Sequence, residues 1–135
     1  MKPVISALDH LVLTARDLHV TRRFYEDVLG MVAQVFVTPS GEDRYALSFG
    51  VQKINLHQEG AEFAPHAKVP MAGALDLCFV SETPLSDWQG HLSLFGVDII
   101  DGPVQRTGAQ GPITSIYIAD PDGNLIEIAN RISSQ

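Results

Sequence analysis

Residues 9–14 read Asp9-His10-Leu11-Val12-Leu13-Thr14, and residues 75–80 read Leu75-Asp76-Leu77-Cys78-Phe79-Val80. Both are short apolar runs with the composition of a strand. Each passes into a stretch of helical character, Leu18 to Leu29 in the first and Pro84 to Phe95 in the second, and each stretch meets a glycine, Gly30 or Gly96. His10 to Asp76 and Gly30 to Gly96 share one spacing of 66 positions. The chain therefore reads as two copies of one module, and a repeat governs how every later element is read. With four extra residues in the second copy, Tyr45–His57 aligns with Ser115–Glu127, which sets His57 opposite Glu127.

The pattern predicts strand, helix, then three strands in each copy. Module one spans residues 5–58, a connector 59–73, and module two 74–130, all within a single domain of 135 residues. In module one, Asp17 is placed to cap the helix, and Val20, Phe24 and Val28 recur every fourth residue, which predicts its buried face. Gly30 is placed to end it in the left-handed conformation. The strands that follow are expected at 31–38, 44–49 and 52–58. In module two, Thr83 and Pro84 mark the helix start, and Trp88, Leu92 and Phe95 its buried face. Its strands are expected at 97–105, 113–119 and 124–129, the last two joined by the turn formers Asp120-Pro121-Asp122-Gly123-Asn124. The connector holds two prolines, two glycines and His66 and has no period.

Composition narrows the function. Sixteen acids against nine Lys plus Arg give a formal charge of −7, which argues against a nucleic-acid partner. The apolar fraction of 45% supports a packed core. No run approaches the roughly 20 apolar residues of a membrane span. No signal peptide is read at the start, and a single cysteine, Cys78, suits a reducing compartment, so the expectation is a cytoplasmic protein without a membrane partner.

Four polar residues stand on strands that are otherwise apolar: His10, His57, Asp76 and Glu127. An ionised carboxylate there is costly unless it is paired or bound to a metal. Taken singly, each has an ordinary reading: His10 as a hydrogen-bonded core histidine, Asp76 as a strand start, Glu127 as an edge residue. Taken together, they occupy the first and last strands of both copies, and a pseudo-twofold relation would bring them to one point. Two imidazoles and two carboxylates suit one divalent ion, with Zn, Ni, Mn and Fe(II) all compatible. Ser115 and Tyr117 share a strand face and could donate hydrogen bonds to a substrate; Tyr117 equally reads as a core aromatic. Arg106, beside the loop Thr107–Gly111, could grip a substrate carboxylate or stand solvated at the surface. His19, His66 and His91 have no counterpart in the other copy and read as surface residues.

The stretches Asp9-His10-Leu11-Val12-Leu13 and Arg22-Arg23-Phe24-Tyr25-Glu26-Asp27-Val28-Leu29-Gly30-Met31 resemble the opening of the vicinal oxygen chelate superfamily. Lys53-Ile54-Asn55-Leu56-His57 and Ile118-Ala119-Asp120-Pro121-Asp122-Gly123-Asn124-Leu125-Ile126-Glu127 resemble its closing strands. That group includes glyoxalase I, extradiol dioxygenases and the fosfomycin- and bleomycin-resistance proteins. The nearest subgroup is the single-domain, lactoylglutathione lyase-like proteins, some of them virulence-associated. The resemblance implies an α+β fold of paired βαβββ modules forming an open barrel-like sheet around a divalent metal. It implies His10, His57, Asp76 and Glu127 as ligands. Asp76 stands where glyoxalase-type members commonly carry His, so it either binds the metal, holds a water or orients a neighbour.

The implied chemistry is a lyase or isomerase reaction on a small oxygen-chelating substrate such as a thiol-aldehyde adduct. Glu127 would be both ligand and proton shuttle. Two alternatives stand beside it: an Fe(II)-dependent extradiol-type dioxygenase, suggested by the His, His, Glu trio, and a non-enzymatic protein that sequesters a drug. A homodimer is expected, since small symmetric oligomers are common.

Overall fold

The computed structural model describes residues 1–132. Within them the chain divides into two compact units, one ending at Met71 and one beginning at Ala72. Residues 59–71 of the connector therefore belong to the first unit.

The first unit runs β1 (His10–Ala15), α1 (Leu18–Asp27), β2 (Val32–Val37), β3 (Asp43–Phe49) and β4 (Gln52–Gln58). Its four strands form a mixed sheet in the order β1-β4-β3-β2, with β1 parallel to β4 and the other pairs antiparallel. The second unit repeats this with β5 (Asp76–Val80), α2 (Leu85–Leu94), β6 (Asp101–Gly108), β7 (Gly111–Ala119) and β8 (Leu125–Arg131), in the order β5-β8-β7-β6. The architecture is thus α+β, two open mixed sheets of four strands, and neither sheet closes on itself.

Each sheet has one apolar face and one open face, because alternate side chains point to opposite sides. In the first sheet Leu13, Leu47, Ile54 and Leu56 are buried on the helix side. There α1 lays Thr21 and Tyr25 against them, both fully buried. The helix starts as its sequence implies: Asp17 accepts hydrogen bonds from the backbone N–H of His19 and Val20 at 3.0 and 3.2 Å. Gly30 follows its end with φ of 71°. Its buried face, however, is Leu18, Thr21 and Tyr25 with Val28. The expected Val20 and Phe24 are exposed and half-buried. The helix entered one residue out of phase with the apolar spacing, because Tyr25 rather than Phe24 fills the core.

In the second sheet Leu77, Phe79, Ile116, Ile118, Ile126 and Ile128 share the helix face. Leu92 of α2 is fully buried, whereas Phe95 is exposed and Trp88 half-buried, its indole N–H donating to Ser81 at 2.9 Å. β6 begins at Asp101, four residues later than expected, and carries a bulge between Asp101 and Val104.

One interaction recurs in both units. Gln58, at the end of β4, accepts the backbone N–H of Leu18, the first residue of α1, and donates to the carbonyls of Ala15 and Arg16. Asn130, near the end of β8, accepts the N–H of Leu85, the first residue of α2, and donates to the carbonyls of Ser81 and Thr83. These two amides occupy the same structural position, 72 residues apart.

Candidate functional site

The open face of each sheet carries the polar residues, and hydrogen-bond register places them. In the first sheet His10 lies beside Lys53, Val12 beside Asn55, and Thr14 beside His57. His10 is exposed, and its Nδ1 meets the carboxylate of Asp9 at 2.8 Å, an arrangement that orients the ring and leaves Nε2 as the outward nitrogen. His57 is 3% exposed, and its Nδ1 is buried without a hydrogen-bond partner. Phe63 covers its ring at a centroid distance of 4.0 Å, and the Arg44 guanidinium lies 3.5 Å over Phe63 in turn. Burial pushes the His57 imidazole below its ordinary value; Glu62 opposes this, and His66 and Arg44 add to it. His57 is therefore held neutral.

The register revises the internal alignment. His10 faces Lys53 and Asp76 faces Leu125, so the counterpart of Glu127, two residues further along β8, is Asn55 rather than His57. The matching amides Gln58 and Asn130 give the same answer: the second copy holds six extra residues before this strand, not four. His57 stands four positions along the ladder from His10, about 13 Å of strand rise. The first sheet thus separates these two histidines along its length. Asn55 Oδ1, like His57 Nδ1, is a buried polar atom with no hydrogen-bond partner among the described residues.

In the second sheet the register brings five of the expected residues to one face. Asp101, Tyr117, Glu127 and Cys78 form one rung across β6, β7, β8 and β5. Val104, Ser115, Ala129 and Val80 form the next, and Arg106, Ile113 and Arg131 the one after that. Asp76 begins β5 on the same face, one alternate position before Cys78. Ser115 is fully buried and donates its hydroxyl to Glu127 Oε2. Arg106 Nε donates to the Tyr117 hydroxyl at 3.1 Å. Cys78 is exposed as a residue, yet its thiol is pushed up to about 11 by desolvation, then by the charge of Glu127 and a hydrogen bond to it, and by Asp76. Neither Glu127 nor Asp76 takes part in an ion pair among the described residues.

A buried turn holds the ends of these strands. Asp120 accepts from the backbone N–H of Asp122 and Asn124, and the Asn124 amide donates back to it at 2.7 Å. Asn124 Oδ1 also accepts the N–H of Leu75, which fixes the start of β5 beside β8 and so sets Asp76 beside Leu125 and Cys78 beside Glu127.

Above this face lies a cavity of about 370 Å³. Its walls include Cys78, Val80, Arg106, Ile113, Glu127 and Arg131. Sequence reasoning singled out Glu127, Arg106, Ser115 and Tyr117 and missed Arg131. The signal for Arg131 was present: it stands four residues beyond Glu127, hence on the same strand face. Within either unit, no group of three or more His, Cys, Asp or Glu gathers as a metal cage among the described residues. The second unit offers two carboxylates, Asp76 and Glu127.

The description Glyoxalase/Bleomycin resistance protein/Dioxygenase superfamily matches residues 7–128. A virulence protein of Salmonella typhimurium, STM3117, is 52% identical over 129 residues, covering 96% of this chain and 87% of that protein. A glyoxalase domain-containing protein of Mycosarcoma maydis, RDO1, is 52% identical over 126 residues, covering 93% of this chain and 69% of that protein. A solved structure from the mobile metagenome of V. pseudocholerae superposes with a TM-score of 0.92 at 53% identity, covering 98% of this chain and all of the other.

Proposed function

The chain belongs to the Glyoxalase/Bleomycin resistance protein/Dioxygenase superfamily, and from that premise we propose that it is a divalent-metal-dependent lyase or isomerase acting on a small oxygen-chelating substrate such as a thiol-aldehyde adduct. The observation that carries this reading is Glu127. It lines a cavity, its carboxylate is held by the buried Ser115 hydroxyl, and it has no cationic side chain paired to it among the described residues. A carboxylate in that situation suits a hard or borderline cation, and Asp76 supplies a second oxygen donor on the same face. These two residues would hold the ion. Within the first unit, His10, its ring oriented by Asp9, is a separate candidate nitrogen donor. His57, four positions along the ladder and covered by Phe63, is the weaker candidate.

When bound, such an ion supplies Lewis-acid polarisation of substrate oxygens. The side chains supply the rest. Glu127, a wall residue of the cavity held by Ser115, moves a proton between substrate carbons or oxygens. Tyr117, held by Arg106, offers a hydroxyl to the substrate from the same rung. The working form is proposed to be a cytoplasmic homodimer with a small-molecule substrate.

Elemental analysis of the purified protein, alongside Asp76→Ala and Glu127→Gln, tests the reading together with an assay on methylglyoxal hemithioacetals of common thiols. The expected result is stoichiometric divalent metal in the wild type. Glu127→Gln is expected to lose at least ~100-fold in turnover, the scale of one general acid–base group. Failure to turn over any such adduct, or full activity in Glu127→Gln, would overturn it. A metal-free protein that binds small molecules equally well without Glu127 would favour the sequestering alternative.

A further inference from the structure

We infer that the cavity of the second sheet seats an oxyanion, a carboxylate or phosphate group of the substrate, between Arg106 and Arg131 over the floor formed by Ile113. The inference rests on the reading of this face as a substrate site and specifies the class of substrate. Ile113 on β7 pairs with Arg106 on one side and Arg131 on the other, so the two arginines flank it on one face. Adjacent strands lie about 4.8 Å apart, which sets the two Cα atoms roughly 10 Å from each other. Two guanidinium groups on such bases converge readily on one anion between them. Ile113 is 4% exposed, so the floor is apolar and buried, while the two arginines above it are exposed and open to an incoming anion.

Arg106 is already oriented. Its Nε donates to Tyr117 and its Nη1 to the carbonyl of Gln105. The closest acid, Asp101, is 3.9 Å from its Nη2, at the edge of an ion pair. Arg131 enters none of the ion pairs formed among the described residues. Two like charges lining one cavity repel each other until an anion lies between them. The cavity wall sets these two arginines against one carboxylate, Glu127, in a chain of formal charge −7. The carboxylate at the other end of the cavity, Glu127, lies four residues from Arg131 on the same strand, about 13 Å in rise. The cavity therefore runs from Arg131 to the carboxylate of Glu127, with Arg106, bonded to Tyr117 on the Glu127 rung, reaching from one toward the other. A neutral diol has no group for either arginine.

The test measures binding of glycolate, ethylene glycol and inorganic phosphate by calorimetry to the 135-residue chain freed of metal by chelation, so that a bound ion does not capture the carboxylate. Glycolate and ethylene glycol share vicinal oxygens and differ in the carboxylate. Glycolate is expected to bind at least ~10-fold tighter than ethylene glycol, to be displaced by phosphate, and to weaken several-fold between about 50 and 500 mM NaCl. Arg106→Gln and Arg131→Gln are each expected to cost about 10-fold in glycolate affinity with the metal content unchanged, and the Arg→Lys forms to recover part of it. Phosphate binding more tightly than glycolate would assign a phosphorylated substrate, and the reverse order a carboxylic acid. Equal affinity for glycolate and ethylene glycol, or wild-type affinity in the double Gln variant, would overturn the proposal; the first comparison needs no variant and so survives any misfolding. A metal-free, inert protein that still binds phosphate through both arginines would refute the proposed enzyme and leave the oxyanion site standing. An active metalloenzyme whose KM ignores both arginines would do the opposite.

Discussion

At the level of single residues, the carboxylate of Glu127 organises its surroundings. It accepts from Ser115 and adds to the desolvation that pushes the Cys78 thiol up to about 11. With metal removed by chelation, alkylation of Cys78 by iodoacetamide at about pH 8 should run tens of fold slower than that of an ordinary thiol and keep rising toward pH 11, because only the thiolate reacts. Glu127→Gln should accelerate it; an unchanged rate would show that the two side chains are not coupled. His57 gives a second test, with the opposite sense of pH. Burial lowers its pKa below the ordinary 6.5, against Glu62 and with His66 and Arg44. Below pH 6.5 the unfolded chain takes up the proton first, so the contribution of His57 is present above that pH and is lost as pH falls. Urea midpoints of metal-free protein at about pH 7.5 and 5.5 should therefore fall more in wild type than in His57→Gln. Glu127 was legible because a carboxylate on an apolar strand needs a reason, Ser115 and Tyr117 because they alternate onto one strand face, and Arg106 because it borders the loop Thr107–Gly111. Asn55 was not, since a neutral amide on a strand raises no such alarm. Only the ladder shows that it holds the place of Glu127.

Among the elements, the strand and helix count was readable and the phases were not. Apolar spacing located α1 and one residue of its buried face, Val28, but misplaced Val20 and Phe24, because the core takes Leu18, Thr21 and Tyr25. A threonine and a tyrosine in the buried stripe defeat a purely apolar template. β6 slipped for a different reason. Val97, Ile99 and Ile100 read as strand, yet pairing starts only at Asp101 and is then broken by the bulge. Gly102 sits in that bulge at φ +94°, and a Cβ added there would strike the backbone of Ser115. Gly102→Ala is expected to destabilise the protein by about 2–4 kcal/mol, combining an unfavourable backbone conformation with a forced shift of β7. Thermal unfolding would measure it. Because Ser115 holds Glu127, the same variant should raise KM even where it folds; a KM identical to wild type would detach the bulge from the site.

At the scale of the whole molecule, the repeat was the most informative signal, since it yielded ten elements from one pattern. Its fine alignment was two residues out, an error invisible to composition and exposed by Gln58 and Asn130 performing the same task. The proposed homodimer belongs to this scale. β2 is an edge strand that exposes Val32, Val35 and Val37, and an open apolar edge is a surface that proteins commonly cover. Sedimentation equilibrium should give twice the 14.7 kDa chain mass; a monomer at micromolar concentration would exclude it. The two-faced construction of the sheets has a broader consequence. Positions that alternate along a strand answer to different selective demands: those on the helix side must keep their volume, and those on the open side need only keep the fold's register. Substrate preference can thus drift by exchange of every second residue while stability is inherited unchanged. A combinatorial library at Cys78, Val104, Arg106, Tyr117 and Arg131 should therefore yield mostly folded proteins of altered selectivity.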